Sequence, residues 1–243
     1  MEIEILTMVL CALATGVGAF PVLLIRRISH RQMDMILAFT AGIMVSASTY
    51  GLIPTSLKLT NLYVLTCGVL LGALLLNVLE YFIPHEDIDH KRTGNMLPRQ
   101  SLMMVIAMTL HNIPEGLSVG ASLASEVENL GLVVALSMGL QNAPEGFLVA
   151  LFLVNQKVNK FFAVLLATFT GMIELLSSLL GFQLIHAALF LVPYGLAFAA
   201  GAMLFIVYKE LIPETHGHGY ERSATFSFLI GLLSMIGLVE WFR

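Results

Sequence analysis

Two stretches decide what kind of chain this is: SLMMVIAMTLHNIPEGLSVGASLA over residues 101–124 and GLVVALSMGLQNAPEGFLVALFLV over residues 131–154. Each is long enough to cross a hydrocarbon layer as a helix, which takes roughly 20 mostly apolar residues. Yet each carries a glutamate, Glu115 or Glu145, near its middle. Further apolar runs near 5–25, 34–55, 61–83, 161–182, 188–209 and 223–242 bring the predicted helices to eight, numbered 1–8 in chain order. Composition agrees, since 58% hydrophobic and 12% charged residues with a mean hydropathy of +0.88 are wrong for a soluble domain of this size. A bilayer leaves no water for exposed backbone groups, and runs this long do not fit barrel strands of about 10 alternating residues. The expectation is an all-α integral membrane protein, a single transmembrane domain over 1–243 with a cytoplasmic loop at about 84–99.

The start, Met-Glu-Ile-Glu, has no positively charged leader, so the first run is read as a mature helix. Cys11 and Cys67 both fall within predicted helices, which argues against a disulfide framework or a zinc knuckle. The connections after helices 1, 3, 5 and 7 hold Arg26, Arg27, Arg31, Lys91, Arg92, Arg99, Lys157, Lys160, Lys209 and Arg222; the opposite side holds only Lys58 and Arg243. Ten basic residues against two place the first set of loops in the cytoplasm and both termini outside.

The chain repeats itself. Phe39-Thr-Ala-Gly-Ile-Met44 matches Phe198-Ala-Ala-Gly-Ala-Met203, and Leu52-Ile-Pro54 matches Leu211-Ile-Pro213, all at one constant offset. Helices 2 and 7 are therefore repeat partners running in opposite directions. This implies an inverted repeat of helices 1–3 on helices 6–8 around helices 4–5, an organisation characteristic of transporters with mid-membrane sites.

A second repeat carries the chemistry. Met108-Thr-Leu-His-Asn-Ile-Pro-Glu-Gly116 recurs as Met138-Gly-Leu-Gln-Asn-Ala-Pro-Glu-Gly146. Spacing by four puts His111 with Glu115, and Gln141 with Glu145, on one helical face each. Pro114 and Pro144 lack the donor for the Leu110 and Leu140 carbonyls and should bend their helices. Gly116 and Gly146 are expected to let helices 4 and 5 approach closely. Glu174 adds a third acid near the middle of helix 6, with no Lys or Arg at similar depth. An ionised carboxylate at mid-membrane costs about 3 kcal/mol on insertion scales. Protonated glutamates hydrogen-bonding helices together would account for any one of the acids. Three acids with two Asn, a Gln and a His point instead to a divalent cation of borderline-to-hard character: zinc, ferrous iron, manganese, cobalt or cadmium.

His-Asn-x-Pro-Glu-Gly on helix 4, its partner motif on helix 5, eight helices and outward termini resemble the ZIP (Zrt/Irt-like protein) family of divalent metal transporters, in its compact prokaryotic form. The resemblance implies a paired central site. Its first position falls on His111, Glu115, Gln141 and Glu145, with Met44 as a thioether contact, and its second on Asn112, Glu115, Asn142, Glu145 and Glu174. Glu115 and Glu145 would bridge. Asn142 departs from members that carry aspartate there, and Lys209 stands where a histidine beside Glu210 would have made a clearer exit relay. The resemblance further implies zinc or a similar ion as transported substrate with no resident cofactor, a bacterial or archaeal inner membrane, and a homodimer. Helices 1, 4, 5 and 6 would move against helices 2, 3, 7 and 8.

Histidine placement agrees: His30, His85, His90, His216 and His218 fall in cytoplasmic connections, and the run His85-Glu-Asp-Ile-Asp-His90, with Glu80 and Glu210 at nearby helix ends, is placed to receive departing ions. An intramembrane metallohydrolase would be expected to show His-Glu-x-x-His, which is absent, so no enzyme is expected. A carrier of organic anions would place basic residues at its substrate, whereas these sit at the membrane edges. The expected partners are divalent ions and lipid, with no nucleic acid.

The orientation is tested by single cysteines at Glu2, Ser125 and Gly94 in a cysteine-free background. A membrane-impermeant thiol reagent on intact cells should modify the first two and spare the third. Labelling of Gly94 but not Ser125 would reverse the assigned direction.

Overall fold

The computed structural model describes residues 2–25, 28–81, 99–125 and 127–242. The run His85 to His90, with most of the loop expected at about 84–99, lies outside them. Among the described residues there is no strand, and the chain forms eight long helical segments: α1 Glu2–Leu23, α2 His30–Leu59, α3 Leu62–Tyr81, α4 Arg99–Ala124, α5 Leu130–Asn155, α6 Lys160–Ala187, α7 Leu189–Glu214 and α8 Glu221–Trp241. Seven of them are long and apolar enough to cross a membrane. The other, α4, is 26 residues long and carries His111, Asn112 and Glu115.

Helix ends overrun the apolar stretches because polar residues cap them. Ser29 and Gln32 form a reciprocal capping box that starts α2 at His30, ahead of the hydrophobic run. The Asn61 side chain accepts from the Tyr63 and Val64 amides at 3.0 and 3.1 Å to start α3. Asn159 does the same for α6 through the Phe161 amide at 2.9 Å. Gly217 and Gly219, with φ of 95° and 82°, supply the left-handed turns that join α7 to α8.

α2 and α7 each contain a widened π turn, at Ala47–Leu52 and Val207–Leu211, just before Pro54 and Pro213. Such turns inside α-helices frequently mark functional sites. Their matched placement bears out the repeat between these two helices.

The close backbone contacts repeat as well. An added Cβ at Gly42 of α2 would run into the Phe228 carbonyl of α8, and one at its repeat mate Gly201 of α7 into the Val69 carbonyl of α3. Gly231 of α8 stands likewise against the Phe39 carbonyl of α2, and its mate Gly72 of α3 against the Phe198 carbonyl of α7. Every residue of one set maps onto the other at the offset that relates Pro54 to Pro213. Helix pairs α2/α8 and α3/α7 are thus the same interface used twice.

Two packing groups result. α1, α4, α5 and α6 pack among themselves, α2 pairs with α8 and α3 with α7, and the groups meet mainly where α4 lies on α7 and α5 on α2. Gly116 and Gly146 do not bring α4 and α5 together as expected: Gly116 faces the Glu174 carbonyl of α6, and Gly146 the Thr15 carbonyl of α1. The glycine follows the glutamate by one residue, which turns it away from the face that carries His111 and Glu115.

These contacts predict opposite outcomes for one substitution. Gly→Ala in a helix ordinarily stabilises by about 1 kcal/mol, and Gly237→Ala, where an added Cβ meets nothing within 4 Å, should be neutral or favourable. Gly72→Ala and Gly231→Ala should each cost about 1–3 kcal/mol as overpacking. Both should lower the melting temperature of purified protein in detergent; unchanged melting would contradict the packing described.

Candidate metal centre

α4 and α5 each turn one polar face inward, and α6 and α1 close the space between them. His111, Asn112, Glu115, Gln141, Asn142, Glu145 and Glu174 are all at most 4% exposed. Among the residues whose burial is described no Lys or Arg is buried, and among the described residues none pairs with Glu115, Glu145 or Glu174. Attraction to a basic side chain therefore does not offset the burial of these acids.

His111, Glu115 and Glu145 each offer a ligand atom, and the three atoms lie within 4.8 Å of one another. The Gln141 amide nitrogen donates to Glu115 Oε1. What remains is more informative: His111 Nε2, Glu115 Oε2, Gln141 Oε1 and Glu145 Oε1 are all buried with no hydrogen-bond partner. Each of the four side chains expected at the first position thus keeps one unpaired atom. An unpaired buried polar group costs about 1–3 kcal/mol, and more if charged, so four on neighbouring side chains are not a resting arrangement for a packed protein. A divalent ion accepting all four as ligands removes that cost, and imidazole nitrogen with carboxylate and amide oxygens is chemistry that zinc and its neighbours take.

Glu174 sits in a second cluster. The Asn142 amide nitrogen donates to Glu174 Oε2 at 2.6 Å and to the Cys11 carbonyl at 3.2 Å. The Cys11 thiol donates to Glu174 Oε1 at 3.2 Å. Asn112 is buried beside His111 on α4. Met44 is fully buried in the hydrophobic core that α2 shares with α5 and α7.

Two residues beside the cluster are not marked by the motifs. From its own stretch, Cys11 is only a residue inside an apolar helix. The available signal was its place with Thr15 and Gly18 on one face of α1, small or polar residues spaced four and three apart. Hydropathy places Glu210 at the cytoplasmic end of helix 7, downstream of the site. α7 in fact runs on to Glu214, and Glu210 Oε2 stands 3.7 Å from His111 Nδ1. The expected helix end at 209 followed hydropathy, and Lys209 and Glu210 interrupt hydropathy without ending the helix.

A family model described as ZIP Zinc transporter matches residues 84–239. The chain is 37% identical over 235 residues to zinc transporter GufA of Myxococcus xanthus, covering 92% of each protein. It is 36% identical over 246 residues to zinc transporter ZIPB of Bordetella bronchiseptica, covering 93% of this chain and 76% of the relative. Against a zinc transporter ZupT of Stenotrophomonas maltophilia the identity is 31% over 239 residues, covering 90% and 88%.

Proposed function

The chain belongs to the ZIP zinc transporter family, and from that membership and the buried cluster we propose that it carries zinc, or a similar divalent ion, into the cytoplasm through a central site between α4, α5 and α6. The observation that carries the proposal is the set of four unpaired buried atoms on His111, Glu115, Gln141 and Glu145. They form the first position, with Met44 as a thioether contact from α2. Asn112, Asn142 and Glu174 complete a second position that shares Glu115 and Glu145 as bridges.

The acids do two things for an ion in transit. Their negative charge replaces the hydration that a divalent cation loses on leaving water, and the shared carboxylates offset the repulsion between two cations held close together. Glu210, beside His111, stands where an ion leaving the first position would find a fresh carboxylate before the cytoplasmic histidines. With both termini outside, the membrane potential favours this direction, since a divalent ion moving inward gains about 4.6 kcal/mol per 100 mV of inside-negative potential.

The two packing groups supply the moving parts. α1, α4, α5 and α6 hold the ion and shift against α2, α3, α7 and α8, whose glycine-locked pairs make a stiff frame. We place the protein in a prokaryotic inner membrane, as a homodimer. The metal is cargo, so no resident cofactor or catalytic chemistry enters.

Metal content per protomer, measured alongside uptake of radiolabelled zinc into proteoliposomes, tests the assignment. Glu115→Ala and Glu145→Ala should stop uptake, because each removes a ligand from both positions. Glu174→Ala should keep one ion bound at His111, Gln141 and the two bridges, with uptake reduced. Full metal content and normal uptake by Glu115→Ala would leave the Pro-Glu-Gly motif with a packing role only and overturn the reading.

A further inference from the structure

The second position poses a charge problem. Asn142 is neutral where a carboxylate would help to hold a divalent ion, so the acids there are Glu174 and a share of Glu115 and Glu145. An anionic group is nevertheless at hand from a helix that the motif does not include. Cys11 on α1 is buried, at 4% exposed. Its sulfur lies 3.2 Å from Glu174 Oε1 and 3.8 Å from Asn142 Nδ2, and Asn142 Nδ2 lies 2.6 Å from the other Glu174 oxygen. Three side chains with ligand chemistry, from three helices, are thus gathered within contact of one another. Glu145, on the same helix as Asn142, keeps its buried Oε1 unpaired.

The spacing suits a shared ion. With Zn–S of about 2.3 Å and Zn–O of about 2.1 Å, a tetrahedral ion holds sulfur and oxygen roughly 3.6 Å apart; Cys11 and Glu174 need open only slightly from 3.2 Å. The Cys11 thiol now donates to Glu174; an ion bound between the two would form its bond to sulfur as the S–H bond breaks, the proton being released to water. Turning the Asn142 amide about its terminal bond presents Oδ1 to the same ion.

We propose that Cys11 is a metal ligand of the second position, supplying through its sulfur the negative charge that Asn142 does not, and that it tilts the site toward thiophilic ions, cadmium over zinc and zinc over manganese. The proposal rests on the reading of the buried cluster as a metal site. Soft thiolate selects such ions where an all-oxygen position would favour harder ones.

The exposed Cys67 is first changed to serine, which leaves Cys11 as the one thiol in an otherwise intact protein. Purified Cys67→Ser protein loaded with cobalt should show a thiolate-to-cobalt charge-transfer band in the near ultraviolet, and bound zinc should protect Cys11 from a mercurial. The double variant Cys11→Ser, Cys67→Ser should lose the band and still bind metal at the first position. Its cadmium-to-zinc uptake ratio should fall roughly tenfold, the scale on which even outer partners of metal ligands act. Cobalt bound without the band, in protein that keeps Cys11, overturns the proposal and leaves the transport reading standing; this arm does not depend on the Cys11 variant folding. An unchanged cadmium-to-zinc ratio in a folded double variant also overturns it. Absence of any bound metal overturns both the proposal and the reading it rests on.

Discussion

The cost of holding Glu115, Glu145 and Glu174 away from water, without a basic side chain among the described residues to neutralise them, is the constraint on which the rest of the molecule depends. A soluble protein would solvate these acids or pair them with arginine. Here they sit mid-helix, on faces turned toward one another, in a setting where charge is stabilised only by another charge, a proton or a hydrogen bond. Gln141 and Asn142 each give one hydrogen bond to an acid, and Cys11 gives another. That leaves buried atoms of His111, Glu115, Gln141 and Glu145 with no hydrogen-bond partner.

Holding that cluster requires rigid helices, and the inverted repeat supplies them twice over. Glycines at 42, 72, 201 and 231 fix α2/α8 and α3/α7 at backbone contact. Within the other group, Gly116 and Gly146 dock α4 on α6 and α5 on α1 through the carbonyls of Glu174 and Thr15, themselves repeat mates. Symmetry therefore builds the frame, and the site departs from it. His111 faces Gln141 across the motif repeat, and Glu174 has threonine as its mate. The departures give the cluster its asymmetry: the one imidazole offers its ligand atom beside Glu115 and Glu145, while the third carboxylate is held by Asn142 and Cys11.

Much of this was legible in the sequence. Eight apolar runs gave eight helices, and the repeats at Phe39 and Phe198 and at Pro54 and Pro213 reappear in matched π turns and matched glycine contacts. The burial and gathering of His111, Glu115, Gln141 and Glu145 followed from their spacing, because four residues is one turn. What failed depended on how faces turn between helices. Hydropathy ended helix 7 at Lys209 and so put Glu210 outside the site. Cys11 shares a small and polar face of α1 with Thr15 and Gly18, but that pattern does not show which helix the face meets, and its partner Glu174 lies far along the chain. Gly116 and Gly146 were assigned to the wrong neighbours for the same reason: a one-dimensional pattern marks a small residue but not the helix that packs on it.

The unpaired atoms of His111, Glu115, Gln141 and Glu145 are proposed ligands for a divalent cation. Diffraction from crystals of the zinc-loaded protein, collected on both sides of the zinc absorption edge, locates the ion without assumptions about transport. An anomalous peak is expected at bonding distance, roughly 2.0–2.2 Å, from His111 Nε2 and from oxygens of Glu115 and Glu145. Zinc found only at surface histidines, with no peak between α4 and α5, would contradict it.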